Sequence, residues 1–205
     1  GTVNGQDGTC WFDRNLGASR VATAFNDVQS YGNLYQWGRL TDGHQLRSSE
    51  LTNTQSNSDI PGHGDFIHGG IDWRSPKNDN LWQGENGINN PCPSGWRIPT
   101  ELEWETEKSV FLSNNLLGAY SSALKLPAAG YRHHGAGTIS GSGSQCQYWS
   151  SAIAGDNARL LRVLDSDGAN MATHPRGEGS SVSCIKDCMS PPEQPNTING
   201  PENPC

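Results

Sequence analysis

Residues 92–104 read CPSGWRIPTELEW, and this stretch constrains the fold more than any other in the chain. Thr100 can accept a hydrogen bond from the amide three residues later, while Glu103 can reach back to the amide of Thr100. This capping box follows Pro99 and predicts a helix that begins there, with acidic residues at the positive end of its dipole. Its apolar contacts, over about three turns, are expected to be Leu102, Trp104, Val110 and Phe111.

Outward from this helix the patterns are weaker. A second, shorter helix is predicted around residues 33–37, where Leu34 and Trp37 are three apart. Beyond Cys146 the pattern changes to strands, and Ser166-Asp167-Gly168 is typical of a hairpin turn between two of them. The predicted strands are 147–150, 159–164, 169–173 and 181–185.

Composition indicates one compact domain with a tail, outside any membrane. The chain has 205 residues, seven Trp, five Tyr and no long apolar run. We assign residues 1–188 to the domain and 189–205, which contain five prolines, to an extended tail. The Gly-, Asn- and Ser-rich stretch from 41 to 90 is predicted to form ordered loops pinned by Trp73 and Trp82. An excess of 21 Asp and Glu over 14 Lys and Arg argues against a nucleic-acid partner.

The six cysteines favour an oxidising compartment. They are even in number, widely spread and free of C-x-x-C pairs, so we expect disulfides and a secreted protein. Free buried thiols in a cytoplasmic protein are the alternative. Cys205, at the end of the tail, can close back within the chain or link to another chain. The six are Cys10, Cys92, Cys146, Cys184, Cys188 and Cys205.

Several segments, taken in order, resemble the Fibrobacter succinogenes major paralogous domain family. They cover most of the chain from residue 9 to residue 187. The segments are WFDRNLGA at 11–18, YGNLYQW at 31–37, DWRSP at 72–76, CPSGWRIPTELEW at 92–104, LPAAGYR at 126–132, YWSS at 148–151 and SVSCIKD at 181–187.

The resemblance implies a C-type-lectin-like fold. This is an α+β fold with two helices, a twisted antiparallel sheet and long ordered loops. Such proteins are secreted or displayed on the surface of bacteria, and the family has no established reaction. Cys92 and Cys184 lie in two of the matching segments and are the first choice for a structural disulfide.

The segment 157–180 is the candidate binding face. Variable proteins of diversity-generating retroelements resemble this family in fold and display their diversified residues in the corresponding region. An ordinary solvated sheet face with hairpin loops is the alternative interpretation. A mixture of aromatic and arginine side chains suits recognition of a protein. The candidate ligand-binding residues are Tyr148, Trp149, Arg159, Arg162, Asp165, Asp167, Asn170, His174 and Arg176.

Two groups of residues contain side chains of the kinds that bind metal ions. His63, Asp65 and His68 have suitable types and spacing, but a hydrogen-bonded loop explains them better. The run from Asp165 to Asn170 offers oxygens suited to calcium without the loop of an EF-hand, and a hairpin turn explains it better. We therefore predict no metal site, and calcium is the one cofactor left open.

Catalytic motifs are missing from the sequence, so we predict that the protein is not an enzyme. The helix start also resembles that of formylglycine-generating enzymes, which are copper oxidases, with Cys184 and Cys188 as a conceivable thiol pair. The glycine-rich strand and the arginine context of that family are absent around both cysteines.

The expected function is a non-catalytic extracellular module that binds a protein or glycan ligand on a surface, for example in adhesion. The alternative is a structural subunit of an extracellular assembly, such as a filament or surface appendage, that self-associates through its tail. We expect no nucleic-acid partner and no membrane insertion.

Overall fold

The computed structural model describes residues 1–187 and has an α+β architecture. The expected α+β class, with two α-helices and antiparallel sheets, is confirmed for this part of the chain. None of its helices has the length and apolar character needed to cross a membrane. The elements are β1 (Thr2–Asn4), β2 (Thr9–Phe12), a 3-10 helix (Val28–Ser30), β3 (Tyr35–Gln36), β4 (Leu51–Thr52), β5 (Phe66–Ile67), α1 (Glu101–Lys108), α2 (Leu116–Ser121), β6 (Tyr131–Arg132), β7 (Ile139–Ser140), β8 (Gln145–Ala154), β9 (Asn157–Leu164), β10 (Gly168–Pro175), β11 (Gly179–Ser180) and β12 (Ile185–Asp187).

Helix α1 begins as predicted. Thr100 Oγ1 accepts a hydrogen bond from the amide of Glu103 at 3.3 Å, and Glu103 Oε2 accepts one from the amide of Thr100 at 2.7 Å. The helix ends at Lys108, after about two turns. The prediction of apolar contacts over about three turns was therefore wrong. Trp104 is fully buried, whereas Leu102 and Val110 are exposed.

The prediction of a helix around residues 33–37 was wrong. Residues 35–36 form β3, which pairs antiparallel with β11 through Tyr35 opposite Ser180 and Gln36 opposite Gly179. The second helix is α2, which follows α1 closely. Its N-cap residue Asn115 accepts a hydrogen bond from the amide of Gly118 at 2.9 Å.

The central sheet has the strand order β10-β9-β8 and is antiparallel throughout. The hairpin turn between β9 and β10 is confirmed, because β9 ends at Leu164 and β10 begins at Gly168 with a φ of +74°. The fourth predicted strand, 181–185, is mostly wrong, because residues 181–184 lie between β11 and β12 and only Ile185 belongs to a strand. A separate sheet, β1-β2-β12, joins the first and last strands of the described chain. The remaining strands form the sheet β3-β11-β6-β7 and the parallel pair β4-β5.

The central sheet is covered on both faces, so it separates two apolar cores. On the helix side, Trp11 and Trp104 pack with Tyr148 and Leu161. On the loop side, the core contains residues of β3, β8 and β9 together with four tryptophans that lie outside the strands. These four are Trp37, Trp73, Trp82 and Trp96.

The expectation that tryptophans pin the long loops is confirmed. Trp73 and Trp82 are almost fully buried. The indole N–H of Trp73 donates to the carbonyl of Trp37 at 2.7 Å, and that of Trp82 donates to the carbonyl of Asn89 at 2.8 Å. Each indole thus satisfies its polar group while it buries a large apolar surface.

The disulfide between Cys92 and Cys184 is confirmed. Cys10 is also disulfide-bonded. Cys146 corrects the expectation that all six cysteines form disulfides, because it is a free thiol buried in the helix-side core. The predictions for Cys188, Cys205 and the tail concern residues outside the part of the chain that the structure describes.

Candidate functional site

The nine candidate ligand-binding residues do not form one surface. Tyr148 and Trp149 are fully buried, and they face opposite cores of the central sheet. The Tyr148 hydroxyl donates to Asn15 Oδ1 at 2.9 Å, and the Trp149 indole N–H donates to the carbonyl of Tyr35 at 2.7 Å. Neither side chain reaches the surface, so neither can present itself to a ligand.

Four of the candidates lie at the hairpin between β9 and β10. Asp165 Oδ1 accepts a hydrogen bond from the amide of Leu116 at 3.1 Å, so this carboxylate lies at the first turn of α2. Arg162 forms an ion pair with Asp167, and Asn170 lies beside the same carboxylate. The carboxylates of Asp165 and Asp167, which were considered for calcium, therefore already accept hydrogen bonds within the protein.

Arg159 joins the central sheet to α1. Its Nε and Nη2 donate to Glu101 Oε1 at 2.8 and 2.5 Å, and its Nη1 donates to Thr173 Oγ1 at 2.8 Å. Glu101 holds the pKa of the Arg159 guanidinium above its usual range. This side chain is therefore a connection between secondary-structure elements rather than an unoccupied donor.

The last two candidates lie at the opposite end of β10. His174 Nδ1 is 2.9 Å from Glu178 Oε1. Arg176 is buried, with its guanidinium over the ring of Trp37, and its Nη2 is 2.6 Å from Asp79 Oδ1. The same nitrogen donates to the carbonyl of Gly155 at 3.0 Å. Arg176 therefore fixes a long loop and the turn between β8 and β9 to the same end of the sheet.

An open depression lies beside this end of the sheet, and we call it the loop depression. Its volume is about 230 Å³. Three separate parts of the chain line it: Gln55 in the long loops, the run from 71 to 77, and the turn between β8 and β9. The lining residues are Gln55, Ile71, Asp72, Arg74, Ser75, Lys77 and Asp156.

Ion pairs organise the cations of the loop depression. Lys77 Nζ is 2.8 Å from Asp156 Oδ1, and this contact holds the pKa of Asp156 below its usual range. Arg74 Nε is 2.7 Å from Asp59 Oδ1. The N–H of that nitrogen does not point along the contact, so the two groups form an ion pair without a directed hydrogen bond.

Asp72 differs from the other acidic residues of this region. Only 9% of its surface is exposed. Its Oδ1 accepts a hydrogen bond from the amide of Arg74 at 3.1 Å, and burial raises the pKa of its carboxyl group. The neighbouring cations are paired with other acids, because Arg74 contacts Asp59 and Arg176 contacts Asp79.

A network of buried polar contacts joins Arg39, Asp42, His44 and Gln36. Arg39 Nε is 2.8 Å from Asp42 Oδ2, and Asp42 Oδ1 is 2.6 Å from His44 Nδ1. His44 Nε2 accepts a hydrogen bond from the amide of Gln36 at 3.1 Å. Burial, the largest cause, lowers the pKa of His44 to about 4, so its imidazole is neutral near pH 7.

The possible metal ligands His63, Asp65 and His68 are not brought together. His63 Nδ1 accepts a hydrogen bond from the amide of Asp65 at 3.2 Å, within one local turn. His68 Nδ1 lies 3.1 Å from the carbonyl oxygen of Gly135 in another loop. Within residues 1–187, no group of three or more His, Cys, Asp or Glu side chains is arranged to hold a metal ion.

Sequence reasoning did not select the residues of the loop depression. Gln55, Lys77 and Asp156 are far apart in the chain and carry no motif. The one available signal was the pair of charges, Asp72 and Arg74, on either side of the buried Trp73. A buried tryptophan fixes the backbone of its neighbours in the chain, so charged residues beside it are held in place.

Comparisons of the chain with protein-family models, with curated protein sequences and with solved structures found no match. The arrangement of the described residues is therefore the basis for a function.

Proposed function

We propose that this protein is a non-catalytic extracellular ligand-binding module of C-type-lectin-like fold that binds its ligand in the loop depression. One observation carries the proposal: three separate segments of the chain bring polar and charged side chains to one open depression. The ion pair between Lys77 and Asp156 and the buried Arg176 hold these segments in place. A site organised before its ligand arrives loses less entropy on binding.

The arrangement of the strands supports the proposed fold. β1 and β12 both pair with β2, so the two ends of the described chain meet in one sheet. The central antiparallel sheet has helices on one face and long loops on the other. The disulfide between Cys92 and Cys184 is compatible with an extracellular location.

The state of the cysteines favours binding over copper-oxidase chemistry. Cys184 is bonded to Cys92, so it is not a free partner for Cys188. Burial raises the pKa of the Cys146 thiol, and the thiolate is the form that attacks substrates or binds metals. The structural-subunit alternative depends on the tail, which lies outside the described residues.

The test compares two matched double variants on an array of glycans and extracellular proteins. Lys77→Ala/Asp156→Ala removes an exposed ion pair from the loop depression, and Arg162→Ala/Asp167→Ala removes one from the β9–β10 hairpin. Neither variant changes the net charge, and exposed ion pairs contribute little to stability. We expect the first variant to weaken ligand binding about 10-fold or more and the second to leave it unchanged.

Two results would overturn the proposal. Loss of binding in the hairpin variant alone would place the ligand at the opposite end of β10. Self-assembly of the wild-type chain, without binding to any ligand on the array, would favour the structural subunit instead.

A further inference from the structure

The loop depression is small for a binding site. Its volume of about 230 Å³ is below the roughly 300–1,000 Å³ of pockets that hold drug-sized ligands. It is open to solvent on one side, because Gln55, Ile71 and Lys77 are all exposed. These dimensions fit one ring of a larger ligand that continues into solvent.

Asp72 supplies hydrogen-bond acceptors that the protein itself does not fill. An ionised carboxylate offers roughly four acceptor positions. Backbone amides near Trp73 and Arg74 use part of this capacity, and the nearby cations are paired with other acids. A buried carboxylate with unused acceptor capacity is costly, and its raised pKa reflects that cost. A ligand that donates hydrogen bonds to it would relieve this cost.

The surrounding charges select against a charged ligand. Four carboxylates, those of Asp59, Asp72, Asp79 and Asp156, lie in this region and would repel an anion. Three cationic side chains lie among them, so an ammonium group would gain little net attraction. A neutral ligand that carries several hydroxyl groups can hydrogen-bond to both kinds of side chain and needs no net charge at the site. The three cationic residues are Arg74, Lys77 and Arg176.

The other lining groups complement a sugar ring. Gln55 Nε2 donates to the carbonyl of Asp72 at 2.8 Å, which fixes the amide while its Oε1 keeps acceptor capacity. Ser75 offers an exposed hydroxyl, which can both donate and accept. Ile71 is 53% exposed and gives an apolar contact for the C–H groups of a ring.

We propose that the loop depression binds one ring of a neutral saccharide, with the Asp72 carboxylate accepting hydrogen bonds from its hydroxyl groups. This assignment rests on the proposed function and specifies the chemical class of its ligand.

The test measures binding of neutral and charged saccharides to the full-length chain, by ligand-observed NMR and by calorimetry. Neutral mono- and oligosaccharides are titrated to about 50 mM, because a one-ring ligand is expected to bind with millimolar affinity. The variant Asp72→Asn keeps an oxygen to accept from the amide of Arg74 and replaces the other acceptor by a donor. Asp167→Asn is the matched control, a carboxylate exchanged for an amide at the distant hairpin.

We expect wild type to bind neutral saccharides, Asp72→Asn to bind them about 10- to 100-fold more weakly and Asp167→Asn to bind as wild type does. Thermal unfolding serves as the readout of a purely structural role. We expect Asp72→Asn to be at least as stable as wild type, because it removes a buried charge.

The outcomes separate this assignment from the proposed function. Equal saccharide affinities for wild type and Asp72→Asn would overturn the assignment. Wild-type binding only to charged saccharides or to proteins, weakened by Lys77→Ala/Asp156→Ala, would also overturn it, but would leave the proposed function standing. If wild type bound nothing in either experiment, both would fail.

Discussion

His44 gives a stability prediction with a defined pH window. Its imidazole is fully buried, and the neutral ring satisfies both of its contacts: Nδ1–H donates to Asp42 Oδ1, and Nε2 accepts from the amide of Gln36. A second ring proton would face the N–H of Gln36, so two donors would meet. The charged Arg39 and Arg132 also oppose protonation.

The direction of the pH effect follows from the two pKa values. The pKa of His44 is about 4 in the folded protein against 6.5 for an unperturbed histidine. As the pH falls from 6.5 to 4, the unfolded chain takes up a proton that the folded protein does not, so the folded protein loses stability. The difference between these pKa values corresponds to ~3 kcal/mol of unfolding free energy.

Urea unfolding across this pH window measures the effect. His44→Gln does not titrate and keeps an acceptor for the amide of Gln36, so its unfolding free energy should fall ~3 kcal/mol less than that of wild type. Carboxylates shared by the two proteins contribute about equally to both curves. The control His63→Gln removes a partly exposed histidine and leaves the buried His44 in place, so its unfolding free energy should still show the fall that His44 causes. Parallel curves for wild type and His44→Gln would refute the reasoning.

Three further predictions concern the cysteines and the start of α1. Cys92→Ala/Cys184→Ala opens a loop with a sequence separation of 92 residues, and urea unfolding should show a loss of ~4–5 kcal/mol by the chain-entropy argument; a loss below 1 kcal/mol would contradict the disulfide's role. Thr100→Ala should cost ~1 kcal/mol in the same assay, with Thr100→Ser restoring most of it, and equal losses in both variants would show that the hydroxyl cap is not the cause. Cys146 should be alkylated only in denaturant, as read by peptide mass mapping, because the thiol is buried and its pKa is raised; labelling of the folded protein would place that thiol at the surface.

Elements with local signals were predictable from the sequence. The capping box of Thr100 and Glu103 sets the start of α1 within one turn, whatever the rest of the chain does. The hairpin after β9 follows from Gly168, whose positive φ favours glycine. The pinned loops followed from Trp73 and Trp82, because large aromatic side chains are usually buried.

Elements that depend on distant partners were not predictable. The stretch 33–37 has helical spacing, yet β11 pairs with its backbone from more than a hundred residues away. Helix α2 has only six residues, and a side chain of the β9–β10 hairpin, Asp165, accepts a hydrogen bond from its first amide. Gly118 is required in this helix, because a Cβ atom there would collide with the backbone of Ser113.

The residues of the loop depression were not predictable for a related reason. The central sheet is buried on both faces, so neighbouring residues such as Tyr148 and Trp149 are both in cores, and no polar alternation marks an exposed side. The loop depression combines Gln55 and Asp156 with residues 71–77. Tertiary packing alone brings these residues together, and the sequence contains no spacing that indicates it.

The most direct test of the proposed binding site is an NMR map of amide shifts, recorded as a ligand from the array is titrated into the wild-type protein. We predict that the largest shifts fall on residues 71–77, on Gln55 and on the turn at Asp156. Amides of the β9–β10 hairpin, residues 165–168, should stay unchanged. Shifts concentrated at that hairpin, with none around Asp72, would contradict the loop depression as the ligand site.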